Sequence, residues 1–367
     1  MENNLEKLQS IDHLLAKLID GHDLTSEETE RLHSTISLYD TEGYHYAIFL
    51  AGLHTKGETA DELFGYIESF RKLVTPLKIK VDTDRMIDLS GTGGGAFKTI
   101  NVSTAASFVV AAAGYIVAKA SNFGITSPTG SVDIFAAFGI YIAKLNKEKI
   151  EKTLEKIGIC PFYVPYFSPK LANRGKISRK VFGERKVKIR TPSHLVFNVF
   201  SPLPLTHRIY GCYSEKYLDI LANLFMKLKF QRSLIFHGRI GMPEISNVGE
   251  TVFIEQNKNR IKKYILKPKD LGIKEVKIGD IKTGTKEENI RDFIRVLKGE
   301  GSRGKTDLIA INAGAAFYAL EDVLTIKAGF KKAREILRSG KSYLVLKKLV
   351  NKLGDVKLLR NLEESLL

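Results

Sequence analysis

Residues 86–139 constrain this chain more than any other stretch: MIDLSGTGGGAFKTINVSTAASFVVAAAGYIVAKASNFGITSPTGSVDIFAAFG. An apolar run of Met86, Ile87 and Leu89 breaks at Ser90 into Gly91-Thr92-Gly93-Gly94-Gly95. Residues 99–104 come next, and a helix of small residues is expected over 105–113. A strand that enters a glycine-rich turn and then a helix builds an anion cradle. Glycine lets backbone N–H groups approach the ligand, and the positive end of the helix dipole favours negative charge. Asn101, Ser103 and Thr104 stand where an amide and two hydroxyls can cap that helix or meet phosphate oxygens.

A glycine turn alone is equally well explained as a tight connection between core elements. The next segment adds more. Residues 115–118 read as a second strand, ending in Lys119. A polar loop (Asn122, Thr126, Ser127, Thr129, Gly130, Ser131) then leads into a helix starting near Asp133. Two adjacent strand ends, each leading into small polar residues and one carrying a lysine, describe the carboxyl edge of a parallel sheet. That is where open α/β sheets bind ligands. The combined pattern points to a phosphate-bearing ligand.

The order GTGG, N-V-S-T, K-x-x-N and S-x-T-G-S-x-D resembles the anthranilate phosphoribosyltransferase family (glycosyltransferase family 3). Leu24-Thr25-Ser26-Glu27-Glu28, Lys56-Gly57-Glu58-Thr59 and Pro76-Leu77 resemble that family's N-terminal helical region. Phe236-His237-Gly238, Glu244-Ile245-Ser246, Asn289 and Asn312-Ala313 resemble its later landmarks. The resemblance implies a small helical domain and a larger α/β domain with a mostly parallel central sheet, of the nucleoside phosphorylase/phosphoribosyltransferase type. It also implies that the first loop and the N-x-S-T segment hold the diphosphate and ribose of 5-phosphoribosyl 1-diphosphate. The substrate-binding set carried over is Gly91, Thr92, Gly93, Gly94, Asn101, Ser103, Thr104, Lys119, Asn122, Ser131 and Arg185.

The rest of the chain fits that outline. Residues 1–76 read as four helices, the first a single stripe of Leu5, Leu8, Ile11, Leu14, Leu15, Leu18 and Ile19 ended by Gly21. Thr25 with Glu28, and Thr59 with Glu62, have capping-box spacing. Five of the eight histidines fall here without ligand-like partners, and read as surface or packing residues. From Met86 onward short apolar strands alternate with helices, as in an α/β layer. A β-hairpin is expected over 251–255 and 260–266, a last buried strand over 307–312, and basic helix over 326–353. The domains are therefore 1–76 and 77–367, and the resemblance implies that about 170–205 joins the first. By the resemblance, the helical domain mediates a homodimer, and 173–192 supplies part of the acceptor pocket.

Composition excludes some classes. No run approaches the ~18 apolar residues of a membrane span, and the start, MENNLEKLQS, has no signal-peptide pattern. Cys160 and Cys212 have no metal or disulfide spacing, so a cytoplasmic protein is expected. The formal charge of +16 is uneven: residues 1–76 hold 14 acids against 6 bases, a net of −8, which leaves +24 for the remainder. Diphosphates and nucleic acid would both be drawn to such a surface. Residues 173–192 carry eight Lys/Arg against one Glu, and 257–269 carry six against none. Residues 301–306, GSRGKT, end like a P-loop, but the glycine spacing is short and the run reads as a basic turn before a strand.

The chain also departs from the family's pattern. The family's Asp-Glu pair reads Pro243-Glu244, its GTGGD reads GTGGG, and its K-H-G-N reads Lys119-Ala120-Ser121-Asn122. Phe123 stands where a basic residue is usual, and Arg185 is displaced by one position from the family's arginine. The phosphate side survives; the acceptor and metal sides do not. Two readings remain open. One is a phosphoribosyl transferase whose acceptor is not anthranilate, with a weakened Mg²⁺ site at Ser103, Glu244 and the diphosphate. The other is a non-catalytic relative that binds nucleic acid through its basic surface. A pyrimidine-nucleoside-type phosphorylase shares the fold, but its K-H-S-G-type lysine loop is absent.

Overall fold

The structure, a computed structural model, describes residues 2–121, 130–167 and 190–365. The chain divides into two compact units, Met1–Pro76 with Val164–Pro202, and Leu77–Tyr163 with Leu203–Leu367.

The first unit holds five helices before residue 76: Glu2–Gln9, Asp12–Ile19, Ser26–Tyr39, Tyr44–Lys56 and Ala60–Arg71. The single stripe expected over Leu5 to Ile19 is thus two helices. Ser10 Oγ donates to the Lys7 carbonyl at 2.7 Å, and the Ile11 N–H turns back to the Leu8 carbonyl at 3.0 Å. Ile11 is fully buried at this break, while Leu5 and Ile19 are 59 % and 61 % exposed, so the apolar period does not run straight through. Both expected capping boxes form. Thr25 Oγ1 accepts from Glu28 N at 3.1 Å, and Thr59 Oγ1 from Glu62 N at 3.2 Å, each with the reciprocal bond. Farther on, the hydroxyls of Tyr46, Tyr66 and Ser193 lie 2.9–3.0 Å apart pairwise. This buried triangle fastens the short helix Pro192–Val196 to the bundle.

The second unit is built on a seven-stranded sheet. Its strands are β1 (Met86–Gly91), β2 (Ile116–Ala120), β3 (Ile159–Phe162), β4 (His207–Gly211), β5 (Arg232–Gly238), β6 (Thr251–Asn257) and β7 (Arg260–Leu266). Their order is β3-β2-β1-β4-β5-β6-β7, parallel as far as β5 and antiparallel for the last two. The chain starts at the centre, works outward to β3, and then crosses back to β4. The order therefore reverses between β1 and β4, and the carboxyl ends of those strands flank the crevice where such sheets place ligands. The expected hairpin is β6–β7, with Phe253 and Tyr264 stacked at 5.4 Å.

Three expectations are corrected. The small-residue helix begins at Val102 and ends at Ala112, three residues earlier than expected at its start. Residues 307–312 are no strand; they lie inside the helix Arg303–Ala319. That helix is buried on almost every face, so its continuous apolar run has no helical period to show, and short runs of this kind look like strands. The 301–306 run accordingly opens a helix rather than preceding a strand: Ser302 is the N-cap and 303–306 are the first turn. The basic end is two helices, Ile326–Arg338 and Lys341–Leu353, with a third, Val356–Glu364, after them.

Candidate functional site

The β1 and β4 ends touch through glycine. Thr92 N donates to the Gly211 carbonyl at 2.8 Å, and Thr92 Oγ1 accepts from Tyr213 N at 2.8 Å. A Cβ on Gly91 would lie 2.5 Å from the Gly211 oxygen, and one on Gly211 would lie 1.7 Å from the Pro243 oxygen. Neither position admits a side chain. Three backbones meet here: the 91–95 loop, the end of β4 and the loop after β5. Ala96 N also donates to the Gly241 carbonyl at 2.7 Å. Gly93 and Gly94 have left-handed φ of +64° and +79°, which only glycine adopts freely, and no atom lies within 4 Å of a Cβ on Gly93. The loop turns its backbone outward from a rigid base.

Beside it, Asn101 is the N-cap of the Val102–Ala112 helix, but its side chain makes no cap bond. Its Oδ1 accepts instead from Asn289 Nδ2 at 2.6 Å. The first-turn N–H groups therefore keep no capping side chain, which leaves the positive end of the helix open to an anion. Ser103 lies in that first turn, half-buried, whereas Thr104 is buried against the core. Lys119, 3 % exposed on β2, donates through Nζ to the Leu89 carbonyl at 3.1 Å and to Ser103 Oγ at 3.2 Å. Burial pushes its ammonium down to about 8, against the opposing pull of the Asp88 carboxylate. Gly130 and Ser131 open the helix Ser131–Ala137, where Gly130 N donates to Asp133 Oδ2 at 2.7 Å. Asn122, Phe123, Thr126, Ser127, Thr129 and Arg185 lie outside the described residues.

On the metal side, Glu244 is half-buried. Burial raises its carboxyl to about 8, with no cation among the described residues set against it to lower it. Its loop is fixed by Asn312, whose amide accepts from Ile245 N and donates to the Ile245 carbonyl, both at 3.1 Å. Pro243 Cδ lies 3.1 Å from where a Gly95 Cβ would be. The two positions at which the sequence lacks expected acids are thus neighbours in space. Among the described residues no cluster of three or more His, Cys, Asp or Glu could hold a metal ion.

Sequence reasoning missed the buried layer beneath the cradle. Asp88, on β1, accepts from Ser90 Oγ and lies 3.2 Å from Nη2 of Arg208, its register partner on β4. Arg208 is wholly buried, and the contact is an ion pair without hydrogen-bond alignment. The guanidinium sits against the rings of Phe230, Phe225 and Tyr210 at 4.9, 5.6 and 5.9 Å. Burial raises the Asp88 carboxyl, while Arg208 pulls it back. Only strand register brings Asp88 and Arg208 together, so nothing local in the sequence marked the pair. Gly211 was also missed, although a glycine closing an apolar strand was its available signal.

Comparison with known proteins fits this geometry. Residues 83–343 match the model for the a/b domain of a glycosyl transferase family, and residues 12–73 match that family's helical bundle domain. Anthranilate phosphoribosyltransferase from Methanococcoides burtonii is 35 % identical over 339 residues, covering 92 % of this chain and 93 % of that protein. The chain belongs to this family. Its Methanosarcina mazei counterpart is 36 % identical, covering 91 % of this chain and 87 % of the relative. Among solved structures, anthranilate phosphoribosyltransferase from Thermus thermophilus matches with a TM-score of 0.83 at 29 % identity, over 92 % of this chain and 98 % of the other. The Saccharomyces cerevisiae enzyme, solved with phosphoribosyl diphosphate and Mg, has a TM-score of 0.81 at 20 % identity, over 94 % of this chain and 98 % of the other, and shares the fold. Within the family frame, no helix among the described residues is long and apolar enough to cross a membrane.

Proposed function

We propose that the chain binds 5-phosphoribosyl 1-diphosphate and transfers its phosphoribosyl group to an acceptor other than anthranilate. The observation that carries this reading is the cradle at the β1/β4 reversal. There the Thr92–Gly211 contact, the left-handed 93–94 turn, the uncapped N-terminus of the Val102–Ala112 helix and the Lys119–Ser103 pair gather at the carboxyl edge of the sheet. In the transfer, the bond from ribose C1 to the diphosphate oxygen breaks, and diphosphate leaves with the electron pair. The acceptor nucleophile forms the new bond to C1 and loses its proton to solvent or a base. The backbone N–H groups and the Lys119 ammonium stabilise charge on the departing diphosphate, and the rigid glycine base fixes its position.

Mg²⁺, when bound, would neutralise diphosphate oxygens further. Glu244 and Ser103 are the residues here that would hold it. Glu244 fits as an oxygen ligand on the loop after β5, with no cation among the described residues set against it. Ser103 fits less well, because its hydroxyl already accepts from Lys119. With Pro243 and Gly95 adjoining where acids are expected, affinity for Mg²⁺ should depend on the diphosphate.

Titration calorimetry with phosphoribosyl diphosphate and Mg²⁺ tests the reading. Binding should be measurable, and Lys119→Ala should abolish it in a folded protein. No heat at millimolar ligand would remove the proposal. Anthranilate itself should be turned over very weakly, since Ala120 and Phe123 replace a histidine and a basic residue. Efficient micromolar turnover in a fluorescence assay would restore anthranilate as the acceptor.

The nucleic-acid alternative is checked by gel shift over a salt series. Several cations of the basic runs are already partnered: Lys263 with Asp219 and Lys267 with Glu250, both at 2.9 Å, and Arg334 with Asp307 at 3.4 Å. Sub-micromolar binding of an arbitrary oligonucleotide that falls steeply with salt, without phosphoribosyl diphosphate binding, would favour that alternative.

A further inference from the structure

The second unit carries a groove at the opposite end of the Val102–Ala112 helix from the cradle. About 350 Å³ in volume, it runs between the last turn of that helix, the last turn of the helix Lys147–Ile157 and one face of the helix Lys341–Leu353. The third of these helices packs on the other two. Ala111, Leu154 and Val345 are buried in its lining, which makes the floor apolar. Leu344 is left uncovered: it is 54 % exposed, although Tyr343, Val345 and Leu346 beside it are buried. Lys341, Leu344, Val345 and Lys348 have the spacing of a single helix face, so two lysines bracket the apolar pair. Lys156 adds a third ammonium group from the neighbouring helix end. Among the described residues none of the three is paired with a carboxylate. Glu155, the acid in the lining, accepts from Lys80 N at 2.8 Å.

We propose that this groove binds a small organic acid, its apolar body laid over Leu344 and Val345 and its carboxylate held by Lys341. A compact inorganic anion fits poorly. Lys341 and Lys348 stand two turns apart, about 10 Å along the axis, and so flank the apolar stretch instead of converging on one head. Such an ion would also leave Leu344 uncovered. A neutral apolar molecule would cover Leu344 but gain nothing from the lysines. The head belongs at Lys341, which opens its helix, because the other two helices bring their negative carboxyl ends to the groove. The volume is that of sites which enclose small molecules.

Octanoate is the probe, with octanol as its neutral counterpart, each titrated calorimetrically into the full chain. Octanoate should bind saturably at one site per chain, about threefold or more tighter than octanol, and the difference should shrink as salt is added. Leu344→Glu should weaken octanoate by about tenfold or more, since it removes apolar cover and pairs with Lys341 and Lys348 on the same face. Lys341→Gln should weaken octanoate by about threefold and leave octanol unchanged. Both positions are exposed, so the melting temperature should hold in each variant. Lys119→Met, in the cradle, should leave octanoate binding intact. The proposal is overturned by the absence of saturable octanoate binding at millimolar concentration, by equal affinity for octanol, by unaltered affinity in Leu344→Glu or by loss of binding in Lys119→Met. A wild-type self-association that Leu344→Glu abolishes in ultracentrifugation would assign the groove to a second copy of the chain and overturn it as well.

Discussion

Lys119 and Gly211 show how much a single position decides. Burial lowers the Lys119 ammonium to about 8 from an ordinary 10.5. Between those values the unfolded chain holds a proton that the folded one does not, so this group makes stability rise with pH from about 8 to 10.5. Below that window the buried charge is a standing cost. Lys119→Met should therefore stabilise the fold at pH 7.5 by roughly 2–3 kcal/mol at most, with the gain shrinking toward pH 10. Urea denaturation of both proteins at the two pH values measures it, and a pH-independent difference would contradict the burial argument. Gly211→Ala should be far worse than Gly93→Ala. The first drives a Cβ to 1.7 Å from the Pro243 carbonyl, whereas the second meets no atom and adds only left-handed strain. Expected losses are about 3 kcal/mol or more against about 1 kcal/mol, read from denaturation midpoints.

At the scale of elements, capping and loop anchoring are separable from the chemistry. Thr59→Ala removes one half of a capping box and should cost about 1 kcal/mol of stability without touching phosphoribosyl diphosphate binding. Asn312→Leu differs, because Asn312 bonds both polar groups of Ile245 and holds the loop that carries Glu244. It leaves two buried backbone groups unpartnered, for an expected loss of about 2–3 kcal/mol. It should also weaken the Mg²⁺-dependent part of phosphoribosyl diphosphate binding. Calorimetry with and without Mg²⁺ reads that part directly, and an equal loss in both conditions would place the loop outside the metal side. The capping boxes were legible because their signal is local, three residues apart. The Asn312 anchor was not, since its partner lies 67 positions away.

For the whole molecule, the family resemblance leads to the expectation of a homodimer through the helical bundle, whose exposed side chains include Ile48 and Tyr44, the latter 72 % exposed. Tyr44→Lys with Ile48→Asp should turn a dimer into a monomer in analytical ultracentrifugation; a wild type that sediments as a monomer would dispose of it. By itself the sequence determined the fold class, and it marked the residues on which the phosphate reading rests. A glycine turn between a strand and a helix, and a lysine closing the next strand, are contiguous patterns whose backbone consequences are local. It also located the family's missing acids. Tertiary structure alone decided that Gly95 and Pro243 are neighbours, that Asp88 faces Arg208, and that residues 307–312 are helix. The physical reason is shared by all three. Strand register, loop-on-loop packing and burial on every face are set by contacts between distant segments, and they leave no period or spacing along the chain to be read.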